Sequence, residues 1–296
     1  MVWSPLRGAW RDYFELTKPK VVLLMLVTVL VGMYLATDSA VPLDTLIYTL
    51  LGLSCGMGGA AAINHVVDQH TDRLMKRTGQ RPIAAGRLNA KRALIFAITL
   101  CTVSILILDI RVNRLTALLT LCGVMGYAVV YTRFLKRSTP QNIVIGGLAG
   151  AIPPLLGWTA VTNNVHPYAL LLVLIIFVWT PPHFWALAVH RHEEYAKADI
   201  PMLPVTHGKA FTKSCVWLYT WLMVAATLLP FATGMSGAIY LSAALVLNSI
   251  FVYYAALLKW REAQHPGIAM KTFGYSIIYL FALFISLLID HYYRIG

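Results

Sequence analysis

The uncharged stretch YALLLVLIIFVWTPPHFWALAV, residues 168–189, decides the fold class of this chain. A helix needs about 20 mostly apolar residues to cross the hydrocarbon core of a bilayer, which is ~30 Å thick. This stretch meets that requirement, and only 12% of the whole chain is charged while 58% is hydrophobic. Soluble domains carry about 25% charged residues. The stretch therefore predicts a membrane-spanning α-helix in a membrane protein.

Eight further apolar runs extend this interpretation along the chain. Together with the first they predict nine spans, at residues 21–36, 43–64, 93–109, 115–131, 143–161, 168–189, 216–233, 238–258 and 272–289. We therefore predict an all-α, polytopic membrane protein. Residues 1–296 form a single domain, a bundle of nine transmembrane helices, and two long polar loops near residues 65–92 and 190–215 interrupt the bundle.

The basic residues predict how the bundle is oriented. The net charge is +12, and 21 of the 24 Lys and Arg residues fall in the N-terminal segment and in alternate loops. Loops rich in Lys and Arg stay in the cytoplasm. The N-terminus and both long polar loops are therefore predicted to be cytoplasmic and the C-terminus outside. Because these charges form short clusters between apolar runs, they argue against a nucleic-acid-binding protein.

The strongest chemical signal is the segment NHVVDQHTD, residues 64–72. Asn64, Asp68 and Asp72 recur every four residues, so a helix places them along one face. Two carboxylates one turn apart repel each other unless a cation lies between them. Oxygen ligands suit Mg²⁺, which bridges to substrate phosphates. The segment predicts a Mg²⁺ site at the cytoplasmic end of the second span, with Asp68 and Asp72 as metal ligands.

Basic side chains follow this segment directly and predict a diphosphate site. Arg77 and Arg81 are the favoured ligands, because a guanidinium group binds phosphate oxygens with two parallel hydrogen bonds. Lys76 is equally well explained as a diphosphate ligand and as one of the basic residues that set the orientation of the protein in the membrane. A Mg²⁺–diphosphate site needs this combination of carboxylates and cations.

A second polar cluster follows the sixth span. Its candidate site residues are His190, Arg191, Glu193, Glu194 and Lys197. Adjacent helical residues point about 100° apart, so only one of the two glutamates is expected to bind metal directly, and Glu193 is the first choice. The alternative is a solvated helix in a loop.

Two proline pairs, Pro153-Pro154 and Pro181-Pro182, lie inside predicted spans. Each pair is expected to bend or interrupt its helix beside a cavity, which membrane helices tolerate. Aromatic residues near them are candidates for a pocket wall that shields a carbocation. His183, directly after the second pair, is the best candidate to contact a metalloporphyrin.

These segments resemble a known family. Asn64, Asp68 and Asp72, followed by RTGQRP at residues 77–82, resemble the first aspartate-rich motif of the UbiA-type prenyltransferase superfamily. The segments LTKPK (16–20), LKRSTPQNI (135–143) and TPPHFWAL (180–187) are similar to the branch of that superfamily that prenylates haem. Where many members carry a second aspartate motif, this chain has His190 and Glu193-Glu194, as that branch does.

The resemblance implies a function and further site residues. It implies a Mg²⁺-dependent transfer of the farnesyl group of farnesyl diphosphate to a vinyl group of haem B, giving a hydroxyethylfarnesyl haem for terminal oxidases. It places the enzyme in the cell inner membrane, with an active site open to the cytoplasm and transient contact with a terminal oxidase under assembly. The matching segments add substrate-binding candidates: Lys18, Lys20, Tyr131, Lys136, Arg137 and Trp185.

Two alternatives stay open from the sequence. The first is a related enzyme that prenylates a quinone precursor or another aromatic acceptor, which the Pro-Pro-His-Phe-Trp run argues against. The second is a membrane transporter or haem carrier. A transporter explains the nine spans but not the carboxylates and arginines clustered at one membrane face.

Overall fold

Long apolar helices dominate the computed structural model, which describes residues 4–74, 78–128, 131, 139–198 and 200–293, with side chains from residue 10 onward. Within these ranges there are helices and turns but no strands. In chain order the helices are α1 (Ser4–Leu16), α2 (Pro19–Leu35), α3 (Leu43–Val67), α4 (Gln69–Leu74), α5 (Ala90–Arg111), α6 (Arg114–Met125), α7 (Asn142–Ala151), α8 (Pro153–Thr162), α9 (Pro167–His190), α10 (His192–Lys197), α11 (Leu203–Thr206), α12 (Gly208–Ala232), α13 (Ala238–Trp260) and α14 (Ile268–Tyr292), with a 3-10 turn at Glu262–Gln264.

Seven helical segments are long and apolar enough to cross a membrane: α3, α5, the α7–α8 pair, α9, α12, α13 and α14. Helices α1 and α2 meet at a bend of 48° and together form an eighth candidate, and the helix Arg114–Ala128 is apolar but shorter. Within the described residues, each predicted apolar run overlaps helical structure, and the run at 143–161 covers two helices, α7 and α8. The count of nine spans stays a prediction. The all-helical membrane fold predicted from the sequence is confirmed.

Many large apolar side chains of the long helices are exposed on the outer surface of the bundle. Leu106 is 53% exposed, Ile110 72%, Leu218 60%, Val246 60% and Ile278 63%. So many exposed aliphatic groups on long helices suit lipid tails, not water. This surface explains the low charge content of the chain.

Small residues allow two pairs of helices to approach closely. A Cβ atom built on Gly32 of α2 would lie 2.0 Å from the carbonyl oxygen of Pro154, and one on Gly157 of α8 would lie 2.1 Å from that of Val29. Helices α2 and α8 therefore touch backbone to backbone. Glycine is enriched at such crossings because membrane helices associate through close packing.

Helix α3 packs against α5 in a similar way. Gly52, Gly56 and Gly59, spaced four and three residues apart, form one face of α3, and that face contacts the side chains of Leu108, Ser104 and Cys101. This contact holds α3 in place, and the polar segment at residues 64–72 begins in the last turn of that helix.

Helix α9 lies at the centre of the bundle, where most of its side chains are buried, and it packs against α7, α12 and α14. Pro153 and Pro154 begin α8 after a break at Ile152, as predicted. Pro181 and Pro182, however, lie inside an uninterrupted α9. The second pair therefore does not interrupt its helix: both prolines are buried, and the surrounding helices hold α9 in place. The predicted bend at this pair stays a prediction.

Candidate active site

The three polar residues spaced four apart lie where α3 meets α4. Asn64, Asp68 and Asp72 are 4%, 1% and 3% exposed. The backbone N–H of Asp68 donates to the Asn64 carbonyl oxygen at 2.9 Å, and that of Asp72 donates to the Asp68 carbonyl oxygen at 2.8 Å. Helical spacing thus continues across the junction at Asp68, although α3 ends at Val67. The predicted row of oxygen-bearing side chains is present, and it is buried.

A lysine and an amide hold the first carboxylate of this row. Lys18 Nζ donates to Asn64 Oδ1 at 2.7 Å, and Asn64 Nδ2 donates to Asp68 Oδ2 at 2.8 Å. Because the ammonium group only donates, it directs the oxygen of the Asn64 amide towards itself and the NH₂ group towards Asp68. Lys18 is predicted to bind substrate; in the structure its ammonium group orients Asn64.

Arg81 holds the second carboxylate. Its Nη1 donates to Asp72 Oδ1 at 2.9 Å and to Oδ2 at 2.8 Å. The hydroxyl of Thr78 donates to the Asp72 backbone carbonyl oxygen at 3.0 Å, which ties the same loop to α4. The sequence predicts that Arg81 binds diphosphate, and the structure places its guanidinium group at the predicted metal ligand.

Arg87 connects this loop to the N-terminal helix, a role that the sequence did not suggest. Its Nε donates to Asp12 at 2.9 Å, its Nη2 to Glu15 at 3.3 Å, and its Nη1 to the Gln80 carbonyl oxygen at 2.9 Å. Arg87 lies 75 residues from Asp12 and 72 residues from Glu15. The sequence therefore could not distinguish Arg87 from the other basic residues of the loop.

The second polar cluster lies on and before α10. Glu193 is exposed, whereas Glu194 is half-buried and pairs with Arg191 at 3.6 Å. His190 and Lys197 are exposed. Glu194 is thus engaged by Arg191, and the choice of Glu193 as the metal ligand of the two glutamates stays a prediction.

Two tyrosines lie near the polar clusters. Tyr127 is within electrostatic range of Asp68 and Arg81, and Tyr131 is within range of Asp68 and of Tyr195 on α10. The two rings stack with centroids 5.6 Å apart. Tyr131 was among the predicted site residues, whereas Tyr127 was not. Tyr127 lies four residues before Tyr131 in the predicted span 115–131, and this helical spacing was the signal that could have identified it.

Aromatic rings enclose His183 deeper in the bundle. The imidazole stacks on Trp179 at 4.2 Å and on Phe273 at 4.5 Å between ring centroids. Its Nδ1 lies 2.6 Å from the hydroxyl oxygen of Ser276, and Trp179 Nε1 donates to the Ser276 carbonyl oxygen at 2.8 Å. The region predicted to receive the porphyrin therefore contains a histidine held by α14.

Of the remaining predicted site residues, the two that the structure describes make no hydrogen bond or ion pair with the α3–α4 junction. Trp185 is 1% exposed and packs in an apolar cluster with its ring edge against Tyr219 at 5.3 Å, so it has a packing environment. Lys20 is exposed on α2. Four predicted basic residues lie outside the described residues: Lys76, Arg77, Lys136 and Arg137.

The donor atoms at the α3–α4 junction fit one kind of metal site. Across the described part of the chain, no group of three or more His, Cys, Asp or Glu side chains could hold a metal ion by itself. Mg²⁺ is usually bound by one or two carboxylates, with water and substrate phosphates supplying the other oxygens. Asp68 and Asp72 provide those two carboxylates, so the site fits Mg²⁺ together with a diphosphate.

Comparison with known proteins agrees with this chemistry. Residues 25–288 match the UbiA prenyltransferase family. Protoheme IX farnesyltransferase of Alcanivorax borkumensis is 62% identical over 288 residues, which cover 97% of this chain and 94% of that protein. The identity is high along almost the whole length of both proteins.

Solved structures share the fold at much lower identity. A structure of digeranylgeranylglyceryl phosphate synthase superposes with a TM-score of 0.79 at 17% identity, covering 96% of this chain and 99% of that one. A UbiA homologue from Archaeoglobus fulgidus bound to GPP and Mg²⁺ superposes with a TM-score of 0.65 at 18% identity, covering 93% of this chain and 99% of that one. With a match to most of the chain and a close full-length relative, this protein is a member of the UbiA prenyltransferase family.

Proposed function

We propose that this protein transfers the farnesyl group of farnesyl diphosphate to a vinyl group of haem B, giving hydroxyethylfarnesyl haem, or haem O. The observation that carries the proposal is the buried row of Asn64, Asp68 and Asp72, in contact with Lys18 and Arg81. This arrangement suits a diphosphate leaving group. The choice of haem as acceptor is supported by the relative that is 62% identical and named protoheme IX farnesyltransferase.

The carboxylates define the donor half of the site. Asp68 and Asp72 would hold Mg²⁺, with Glu193 as a further ligand. When bound, Mg²⁺ supplies positive charge that stabilises the diphosphate as the allylic C–O bond breaks. The homologue bound to GPP and Mg²⁺ supports the use of Mg²⁺ by this protein.

Basic side chains complete the donor half. Arg81 would release one or both oxygens of Asp72 and bind phosphate oxygens with its planar guanidinium group. Lys18 keeps Asn64 oriented, and Asn64 in turn fixes the carboxylate of Asp68. The described residues thus hold the leaving group in place while the carbon–oxygen bond breaks.

The acceptor half lies towards α9 and α14. Ionisation leaves an allylic cation on the farnesyl chain, and aromatic faces such as those of Tyr127 and Tyr131 would shield it. The π electrons of a haem vinyl group form the new carbon–carbon bond. Water then adds to the cation beside the porphyrin and loses a proton, which gives the hydroxyl group. His183 would contact haem on this side of the site.

We also propose how the protein lies in its membrane. The seven long segments, the bent α1–α2 pair and the shorter helix at Arg114–Ala128 would give nine crossings of the cell inner membrane. The distribution of Lys and Arg favours a cytoplasmic N-terminus and an active site open to the cytoplasm. A charged diphosphate would then stay at the membrane rim while the farnesyl chain extends inward. Delivery of the product to a terminal oxidase stays a prediction.

The test is a reconstituted reaction. Purified protein in lipid nanodiscs is incubated with haem B, farnesyl diphosphate and Mg²⁺. The haem products are then separated by chromatography and identified by mass spectrometry. We expect haem O, and no product after chelation of the metal. Para-hydroxybenzoate in place of haem tests the quinone-precursor alternative. Haem movement across the membrane without a new covalent product would support the carrier alternative and contradict the proposal.

A further inference from the structure

Ser276 of α14 makes two hydrogen bonds to the part of α9 that contains His183. Its backbone carbonyl oxygen accepts from Trp179 Nε1 at 2.8 Å, and its side-chain oxygen lies 2.6 Å from His183 Nδ1. Ser276 is fully buried, and His183 is 7% exposed. Ser276 therefore orients the rings of both Trp179 and His183, although it lies 93 residues beyond His183 in the sequence.

The protons of this contact can be assigned from hydrogen-bond chemistry. A serine hydroxyl carries one proton, and the Ser276 hydroxyl donates it to the Phe273 carbonyl oxygen at 2.6 Å, because a carbonyl oxygen only accepts. The Ser276 oxygen must therefore accept the proton in its contact with His183. It follows that the proton of the neutral imidazole is on Nδ1, and that Nε2 carries a lone pair.

We propose that Ser276 is a positioning residue that holds His183 in the Nδ1–H tautomer, so that Nε2 is the ligand for the iron of the haem substrate. This inference rests on the proposed function and deepens it. Histidines that bind metals usually donate their other N–H to a fixed acceptor, which orients the ring and strengthens the ligand. Ser276 is that acceptor here.

The same assignment decides which part of haem His183 contacts. A haem propionate is ionised at neutral pH and only accepts hydrogen bonds. An Nε2 atom with a lone pair has no proton to donate to it, whereas iron accepts the lone pair. The tautomer therefore selects the iron.

The first test measures the tautomer in the substrate-free protein. Histidine labelled with ¹⁵N in the ring gives separate NMR signals for a protonated and an unprotonated nitrogen, and His183→Ala identifies the relevant pair. We expect a protonated Nδ1 and an unprotonated Nε2. A protonated Nε2, alone or together with Nδ1, would overturn the inference. This test needs no substitution at Ser276 itself.

The second test measures haem binding. Ser276→Ala removes the acceptor, and we expect the apparent affinity for haem B to fall by about 10- to 100-fold, the usual effect of losing such a partner. Ser276→Thr keeps a hydroxyl group and should restore most of the affinity. The matched control is Ser286→Ala, because Ser286 donates the same kind of bond to the Leu283 carbonyl oxygen at 2.8 Å about three turns further along α14. The control should bind haem normally.

Resonance Raman spectra of the ferrous haem complex make the test specific. An iron–histidine band should be present in the unmodified protein, shifted to lower frequency in Ser276→Ala and absent in His183→Ala. Haem O production with no such band, or with equal haem affinity in Ser276→Ala and the unmodified protein, would overturn this inference and leave the proposed function intact. Absence of haem O in the reconstituted reaction would instead contradict the proposed function, while the NMR signals still report the tautomer.

Discussion

One nitrogen of Arg81, Nη1, contacts both carboxylate oxygens of Asp72, at 2.9 and 2.8 Å. Because a single nitrogen makes both contacts, a lysine ammonium group can replace it at Asp72. A lysine cannot replace the planar group that binds a phosphate with two parallel bonds. We therefore expect Arg81→Lys to fold normally and to lose at least ~10-fold in affinity for farnesyl diphosphate, equal to about 1.4 kcal/mol. Isothermal titration calorimetry measures this affinity.

The control for Arg81 separates stability from binding. Arg81→Met leaves the buried carboxylate of Asp72 without its cation, which should cost about 3 kcal/mol of unfolding free energy. The double variant Arg81→Met with Asp72→Leu should recover most of that stability without activity. If Arg81→Lys bound farnesyl diphosphate normally, the guanidinium group would be a structural partner of Asp72 only.

Asp68 gives the second prediction. Asp68→Asn keeps the shape of the side chain, and its amide oxygen still accepts the bond from Asn64 Nδ2, which is 2.8 Å long in the structure. The negative charge that would hold Mg²⁺ is lost. We expect turnover to fall by at least ~10²-fold, about 2.7 kcal/mol of transition-state stabilisation, and the residual activity to need more Mg²⁺. A folded variant with near-normal turnover at low Mg²⁺ would contradict the assignment of Asp68 as a metal ligand.

Lys18 gives a prediction that separates the structural interpretation from the sequence-based one. Loss of the ammonium group in Lys18→Met leaves the Asn64 amide free to turn away from Asp68. We expect kcat to fall by ~10-fold, about 1.4 kcal/mol, with little change in KM for farnesyl diphosphate. A substrate-binding lysine would raise KM instead. Lys20→Met is the matched comparison, since it removes the same charge two residues away and leaves the bond between Lys18 and Asn64 intact.

The sequence predicted those parts of the site that depend on local geometry. Asn64, Asp68 and Asp72 are four residues apart, and an α-helix converts this spacing directly into a row. Their burial and the partners of the carboxylates were not predictable in this way. The contact between Arg81 and Asp72 depends on the path of the loop between α4 and α5, and the contact between Ser276 and His183 depends on packing between α9 and α14.

The prolines show how tertiary packing overrides a local signal. Pro153-Pro154 interrupts a span and Pro181-Pro182 does not, although both pairs have the same local chemistry. The first pair begins a helix, where a missing N–H has no intrahelical acceptor in any case. The second pair is buried in the most enclosed helix of the bundle. Composition and hydropathy predicted the fold, because lipid imposes helices on every long apolar run.

Arg87 gives a prediction about motion rather than stability. Its two ion pairs with Asp12 and Glu15 involve a side chain that is 40% exposed, so each contributes at most about 1 kcal/mol. Arg87→Met should therefore melt at nearly the temperature of the unmodified protein. Hydrogen exchange of the amides between residues 78 and 89 should be faster, because the loop that carries Arg81 loses its link to α1. Unchanged exchange in this loop would show that α1 does not restrain it.

The crossing of α2 and α8 gives the last prediction. A Cβ atom on Gly157 would lie 2.1 Å from the carbonyl oxygen of Val29, and backbone cannot move aside as a flexible side chain does. We expect Gly157→Ala to push the two helices apart and to cost about 2 kcal/mol or more. Gly150→Ala is the matched control, because Gly150 lies in α7, the other half of the same predicted span, and a Cβ atom there meets nothing within 4 Å. Alanine has the higher helix propensity, by about 1 kcal/mol, so this control should be neutral or slightly stabilising. Melting temperatures of both variants in the same lipid nanodiscs measure the difference, and equal values would mean that α2 and α8 are not packed backbone to backbone.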